Sequence, residues 1–164
     1  MSSRILLLAA ALGLLACGGP ASPIVPAPKE PIMSHAWLAE RAGELDLTLE
    51  QATARDQAIT DATPQPNLWQ EPGIPERAGE LYAAVCASCH GPRGKGEGAP
   101  TFENPPRDFG TFGLTMGFTM GGDAMRGGIF RKIKTASEGS MMPGFGSQLS
   151  NEQIWALVSF IEHL

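Results

Sequence analysis

The stretch that most constrains this chain of 164 residues is LYAAVCASCHG, residues 81–91. It holds two of the three cysteines, Cys86 and Cys89, three positions apart, with His90 directly after the second. The residues leading into it, from Glu76 to Cys89, follow Pro75 and read as a helix. On a helix the two thiols fall at i and i+3, with His90 at i+4 from Cys86, so all three groups share one side. The region from Glu76 to Leu164, about ninety residues, is rich in loop. A domain of that size buries little apolar surface and needs a staple beyond its own core.

Three chemistries use paired cysteines in this way. A thioredoxin-like C-x-x-C sits after a strand in an alternating βα pattern, and no such pattern is present. A zinc site needs four ligands. The third cysteine, Cys17, lies far off, and His35 and His163 show no ligand-like spacing. A structural disulfide gives His90 no role. C-x-x-C-H instead reads as an attachment site for a c-type haem. Two thiols on one face can add to the two vinyl groups of one porphyrin edge, which holds the adjacent imidazole beneath the iron. A large apolar cofactor would also supply the missing core.

The N-terminus bears on compartment. Met1–Arg4 is short and positive, and Ile5–Ala16 is an apolar run too short to span a bilayer and suited to a signal-peptide core. Leu14-Leu15-Ala16-Cys17, followed by Gly18-Gly19, resembles the bacterial lipobox, whose cysteine becomes the lipidated N-terminus after cleavage. The alternative is an ordinary secretory peptide with an incidental cysteine. The lipobox reading makes residues 1–16 a lipoprotein signal peptide and Cys17 the lipidation site, and it accounts for an odd cysteine count. Two or more acyl chains anchor firmly, because each buried methylene contributes about 0.8 kcal/mol. The expected product is anchored to a membrane and faces the periplasm or cell exterior. A formal net charge of -5 argues against nucleic-acid binding, which wants a basic face.

Residues 17–33 form a proline-rich tether after Cys17, semi-rigid and extended. Residues 34–75 read as a helical segment with a second proline-rich connector. One piece lies around His35–Ala42, and another runs from about Leu49 to Ile59 behind a capping box of Thr48 and Gln51. The first piece has a thin apolar face around Trp37 and Leu38, so it either packs on the main domain or binds a partner. Within 76–164, residues 91–121 read as loop and Asp123–Lys134 as a helix weakened by Gly127-Gly128. A final helix follows the capping box of Ser150 and Gln153, with Ile154, Leu157, Val158 and Ile161 on one face. The basic run Arg126, Arg131, Lys132 and Lys134 reads as a solvated face or as a means of steering an acidic partner.

Residues 76–164 resemble a small class I c-type cytochrome over the whole domain. The resemblance implies an all-α fold of three to four main helices around one covalently bound haem c, with long Gly/Pro-rich loops. Gly79 and Tyr82 resemble the residues by which the family's first helix crosses its last, with Leu157 and Phe160 as their contacts. Cys86 and Cys89 would hold the porphyrin, and His90 would bind iron. Gly91–Pro100 resembles the family's glycine-rich loop, whose proline carbonyl accepts the other N–H of the proximal histidine. Pro100 is the candidate, or else a plain turn residue. In MMPGFGSQL, residues 141–149, the family's order of ligand methionine, proline, aromatic and leucine is matched by Met142-Pro143, Phe145 and Leu149. Met142 is therefore the candidate second axial ligand, with Met141 the alternative. Both could also be loop methionines packed on the haem edge. Met116, Met120 and Phe118 read as pocket lining. Arg107, in Pro105–Phe109, is either a propionate partner or an ordinary surface arginine.

The expected function is one-electron transfer by a membrane-tethered monohaem cytochrome with His/Met ligation. It has redox proteins as partners and no small-molecule substrate, and it is not an enzyme. Ala87, Ser88 and Gly91 would surround the exposed haem edge. The alternatives are a fixed haem subunit of a larger respiratory or dehydrogenase complex, and a haem enzyme or gas sensor with an open sixth site.

Overall fold

The computed structural model describes residues 34–98, 105–136, 139 and 141–164. Residues 1–16, Cys17 and the tether 17–33 lie outside the described residues, as does Pro100. Among the described residues six helices follow in order: α1 (Ser34–Glu44), α2 (Leu49–Ala58), α3 (Ile74–Val85), α4 (Ala87–His90), α5 (Phe112–Thr135) and α6 (Asn151–Glu162), with a 3-10 turn at Leu68–Gln70 before α3. No strand occurs among the described residues, and the all-α expectation holds.

The last helix is the axis of the fold. Its predicted face of Ile154, Leu157, Val158 and Ile161 is buried, and so are Trp155 and Ala156. A helix apolar on more than one side packs on more than one neighbour, and α6 touches α2, α3 and α5. Both capping boxes form: Thr48 with Gln51 opens α2, and Ser150 with Gln153 opens α6. Helix α3 crosses α6 at Gly79, where a Cβ would stand 3.3 Å from the Phe160 ring. Tyr82 meets the same ring at 4.9 Å between centroids. A glycine at this crossing lets the two helices approach closely.

Helix α5 is longer than its sequence suggests. Residues 112–121 are helical, and only a break at Gly122 (φ 48°, ψ −129°) separates them from the expected 123–134 piece. The left-handed φ is one that glycine adopts without penalty. The glycines at 113, 117, 121 and 122 pulled the reading toward loop, and packing overrode propensity: Leu114 and Phe118 are buried in the core.

Three residues of the basic run on α5 are tied inside the chain, while Lys132 is exposed. Arg126 pairs with Glu162 and with Asp123, and Arg131 pairs with Asp61. Lys134 donates to Asn151 at 2.8 Å and lies over the Phe130 ring. These residues are internal ties more than a steering face.

Residues 34–75 pack on the main domain. Trp37 is 0% exposed and donates from Nε1 to the Glu152 carboxylate on α6 at 2.8 Å. Arg41 reaches the same carboxylate at 2.9 Å and also pairs with Glu44 and Glu71. Burial works against the charge on Arg41, but its bonds to Glu152 and Glu44 outweigh that and hold its pKa above the ordinary value. The apolar face of α1 was too thin to fix it. An aromatic anchor and a buried, fully bonded ion cluster do so instead.

Candidate functional site

The C-x-x-C-H stretch forms a tight helical turn directly after α3. The amides of Cys89 and His90 both donate to the Cys86 carbonyl, at 3.1 and 2.9 Å. The i, i+3, i+4 arrangement read from sequence is therefore present. Gly91 ends the turn at φ 78°, and its N–H donates to the Ala87 carbonyl at 2.8 Å. The Gly91 carbonyl accepts from the Tyr82 hydroxyl at 2.8 Å, tying the turn to the α3–α6 crossing. Burial, with nearby Cys86 and Glu97, raises the Tyr82 pKa and keeps that hydroxyl a donor. Tyr82→Phe removes the shorter of the two bonds to the buried Gly91 carbonyl and leaves it only the Gly94 amide, at 3.2 Å. An expected loss of about 1–2 kcal/mol would be read by denaturant unfolding of the haem-loaded protein.

The loop after the turn folds back on it. The Gly96 amide donates to the His90 carbonyl at 2.8 Å, and a Cβ on Gly98 would stand 2.5 Å from the Ser88 carbonyl. Residues 105–109 then close over the histidine. The Phe109 amide bonds the Gly94 carbonyl at 2.7 Å, and its ring stacks on His90 at 4.6 Å. Sequence reading missed Phe109, although it stands two places beyond Arg107 in a segment already singled out. Arg107 itself is exposed. Ala87 is half-buried and Ser88 exposed, whereas Gly91 is buried and forms no part of an exposed edge.

The donor set can be tested against a bound group. His90 Nδ1 is buried and has no hydrogen-bond partner among the described residues. Such an orphan is uncommon and costs about 1–3 kcal/mol. Burial lowers the His90 pKa, opposed only by the Arg107 backbone, so the imidazole is neutral, as a metal ligand must be. Both cysteines are free thiols, and burial, with Cys89 beside it, pushes the Cys86 thiol up to about 12. Among the described residues no cluster of three His, Cys, Asp or Glu side chains could hold a metal ion. Two unpaired thiols and a neutral, partly unsatisfied imidazole on one turn fit covalent haem.

The candidate second ligand lies before α6. Met142 is half-buried and packs against the core, whereas Met141 is 75% exposed. Phe118 is buried, Met116 half-buried and Met120 exposed, so Met120 is not enclosed as a pocket residue.

Helices α3 and α6, crossed beside a turn that presents two thiols and an imidazole, define a small all-α protein built to hold a prosthetic group. The family model described as Cytochrome c matches residues 75–164, more than half of the chain, and the chain belongs to the cytochrome c family. Membership implies a covalently bound haem c and an electron-carrying role. A relative, the Cbb3-type cytochrome c oxidase subunit FixP of Azorhizobium caulinodans, is 34% identical over 90 residues. The match covers 54% of this chain and 27% of that protein, so the chain spans only about a quarter of its relative's length.

Proposed function

We propose that this chain is a membrane-tethered monohaem cytochrome that carries one electron at a time between redox proteins outside the cytoplasm. The observation that carries the reading is the CASCH turn, with its two free thiols and the buried Nδ1 of His90, which has no partner among the described residues. Cys86 and Cys89 would form the thioethers, and His90 and Met142 would be the axial ligands. A bound haem supplies a one-electron ferric/ferrous couple, and a thioether ligand favours the ferrous form and raises the potential. The remaining work falls to the chain. Phe109 and the loop 91–98 hold the His90 ring in place and shelter it from water. Pro100 is the candidate acceptor for the His90 N–H, and Arg107 the candidate counter-charge for a propionate. Cys17 would carry the lipid, residues 17–33 would space the domain from the membrane, residues 34–75 would brace it, and residues 76–164 would form the haem domain. The anchoring reading rests on Leu14–Gly19.

One observation favours a permanent assembly instead: the relative is named as an oxidase subunit. Against it, the helical segment between the two proline-rich connectors, a candidate for docking on a partner, lies on the chain's own α6. The mass of the haem-loaded protein, extracted in mild detergent from its native membrane, separates the two. A monomer that accepts and donates one electron per chain supports the carrier; co-elution with a large complex supports the subunit. Haem content other than one per chain would overturn the monohaem reading.

A further inference from the structure

Asp56 lies in the last turn of α2, ahead of the region matched to the family, residues 75–164. It is 7% exposed. Its carboxylate accepts from the backbone N–H of Asn151 at 3.0 Å and of Glu152 at 2.8 Å. A carboxylate from one helix thus caps the N-terminus of another, where exposed N–H groups and the helix dipole favour negative charge. The Ser150 hydroxyl serves the next amide, that of Gln153.

Asn151 extends the grip to a third helix. Its side-chain amide donates to the Asp56 carbonyl at 2.9 Å, and its oxygen accepts from Lys134 Nζ at 2.8 Å. The end of α5 then holds the segment that leads into α6. The Phe145 amide donates to the Ile133 carbonyl at 2.9 Å, and the Gly146 amide to the Lys134 carbonyl at 3.0 Å. Gly144 and Gly146 lie so close that a Cβ on either would stand 2.9 Å from the Lys134 carbonyl oxygen. The segment 142–150 is therefore stitched to α5 in its middle and fixed at its exit by Asp56 and Asn151.

We propose that Asp56 is a positioning residue for Met142. With Asn151 and Lys134 it forms a three-helix node that holds the 142–150 segment closed, so the helices ahead of the cytochrome domain set how often Met142 leaves the iron. The inference rests on the reading of Met142 as axial ligand. A loop can release its ligand only by a local opening, and any contact made solely in the closed form lowers the open population by its own free energy. Loss of a capping acceptor is expected to enlarge that population about tenfold.

The test uses the full-length, haem-loaded ferric protein, titrated with imidazole and followed by its visible spectrum. Imidazole competes for the coordination position only when the segment is open, so its apparent affinity reports the open fraction. Asp56→Ala is expected to tighten apparent imidazole binding about tenfold. Asp56→Asn keeps an acceptor oxygen and should fall between the two. Lys134→Met, which cuts the node from the α5 side, should tighten it as well, and these two variants serve if Asp56→Ala does not fold. Ile74→Val, a trimmed core residue in α3 away from the node, should lower thermal stability and leave the imidazole affinity unchanged. The proposal is overturned if the node variants bind imidazole like the unaltered protein, or if Ile74→Val shifts the affinity as far as they do. Met142→Ala separates the two readings. If it binds imidazole no more tightly than the unaltered protein, Met142 is not the ligand and both readings fall. If it binds far more tightly while the node variants do not, only the role of Asp56 falls.

Discussion

Replacing both Cys86 and Cys89 with alanine is expected to abolish haem staining on a denaturing gel, in a host able to mature c-type cytochromes. Each single variant should keep a reduced stain, because one thioether suffices to hold the group through denaturation. The folded state should suffer as well. The core assembled by α3, α5 and α6 carries large buried side chains such as Tyr82, Phe130 and Trp155, yet the CASCH turn contributes no buried residue to it. A bound haem would cover that turn. Covalent cross-links in small domains contribute about 2–5 kcal/mol, which predicts a fall in thermal midpoint on the order of 10–30 °C for the double variant. The high pKa of the Cys86 thiol has a consequence before haem is attached. At neutral pH the thiol is almost wholly protonated, so in haem-free protein Cys86 should alkylate about a hundredfold or more slowly than an unhindered thiol. Haem staining of the double variant at the unaltered level would sink the covalent attachment and the fit drawn from the donor set.

Much of this was legible because the informative signals were short-range or stoichiometric. The C-x-x-C-H turn, both capping boxes and the Ile154, Leu157, Val158 and Ile161 face of α6 depend on residues three or four apart, and such spacings translate directly into helical geometry. The Gly79–Phe160 crossing was legible only through resemblance, since nothing in local pattern pairs residues so distant in the chain. What stayed hidden was set by tertiary context. Residues 112–121 look like loop because glycine is a poor helix former, and they are helical because Leu114 and Phe118 find a core to enter. The docking of α1 and α2 was left open because it depends on polar groups. Trp37, Arg41 and Arg55 converge on the Glu152 carboxylate, and Asp56 caps α6. A hydrophobic pattern cannot announce a buried ion cluster, whose partners lie about a hundred residues away in sequence. Phe109 carries no local signal of its role: Arg107 is the charged residue of its segment, while the ring two positions on is what touches His90.

Met142→Ala is expected to lower the reduction potential and change the visible spectrum while leaving the helices in place. A thioether favours ferrous iron, so its removal disfavours reduction and the potential falls. Axial ligands command a span of roughly 0.8 V, and losing one is expected to account for a few tenths of that. Packing alone would not produce the effect. Met142 is half-buried at the margin of the core, so its truncation should cost only about 1–2 kcal/mol, with far-UV circular dichroism unchanged. Met142→Leu separates the two contributions: it restores most of the apolar volume, and hence the stability, without restoring the potential. Both variants should bind imidazole without competition, since no thioether has to be displaced. That property bears on the enzymatic alternative. If the unaltered protein keeps its sixth position filled, peroxide should react with it slowly and with Met142→Ala faster. An unchanged low-spin spectrum and potential in Met142→Ala would remove this residue as ligand. Met116 and Met125, both half-buried, would then be the next methionines to replace, because Met141 and Met120 are largely exposed.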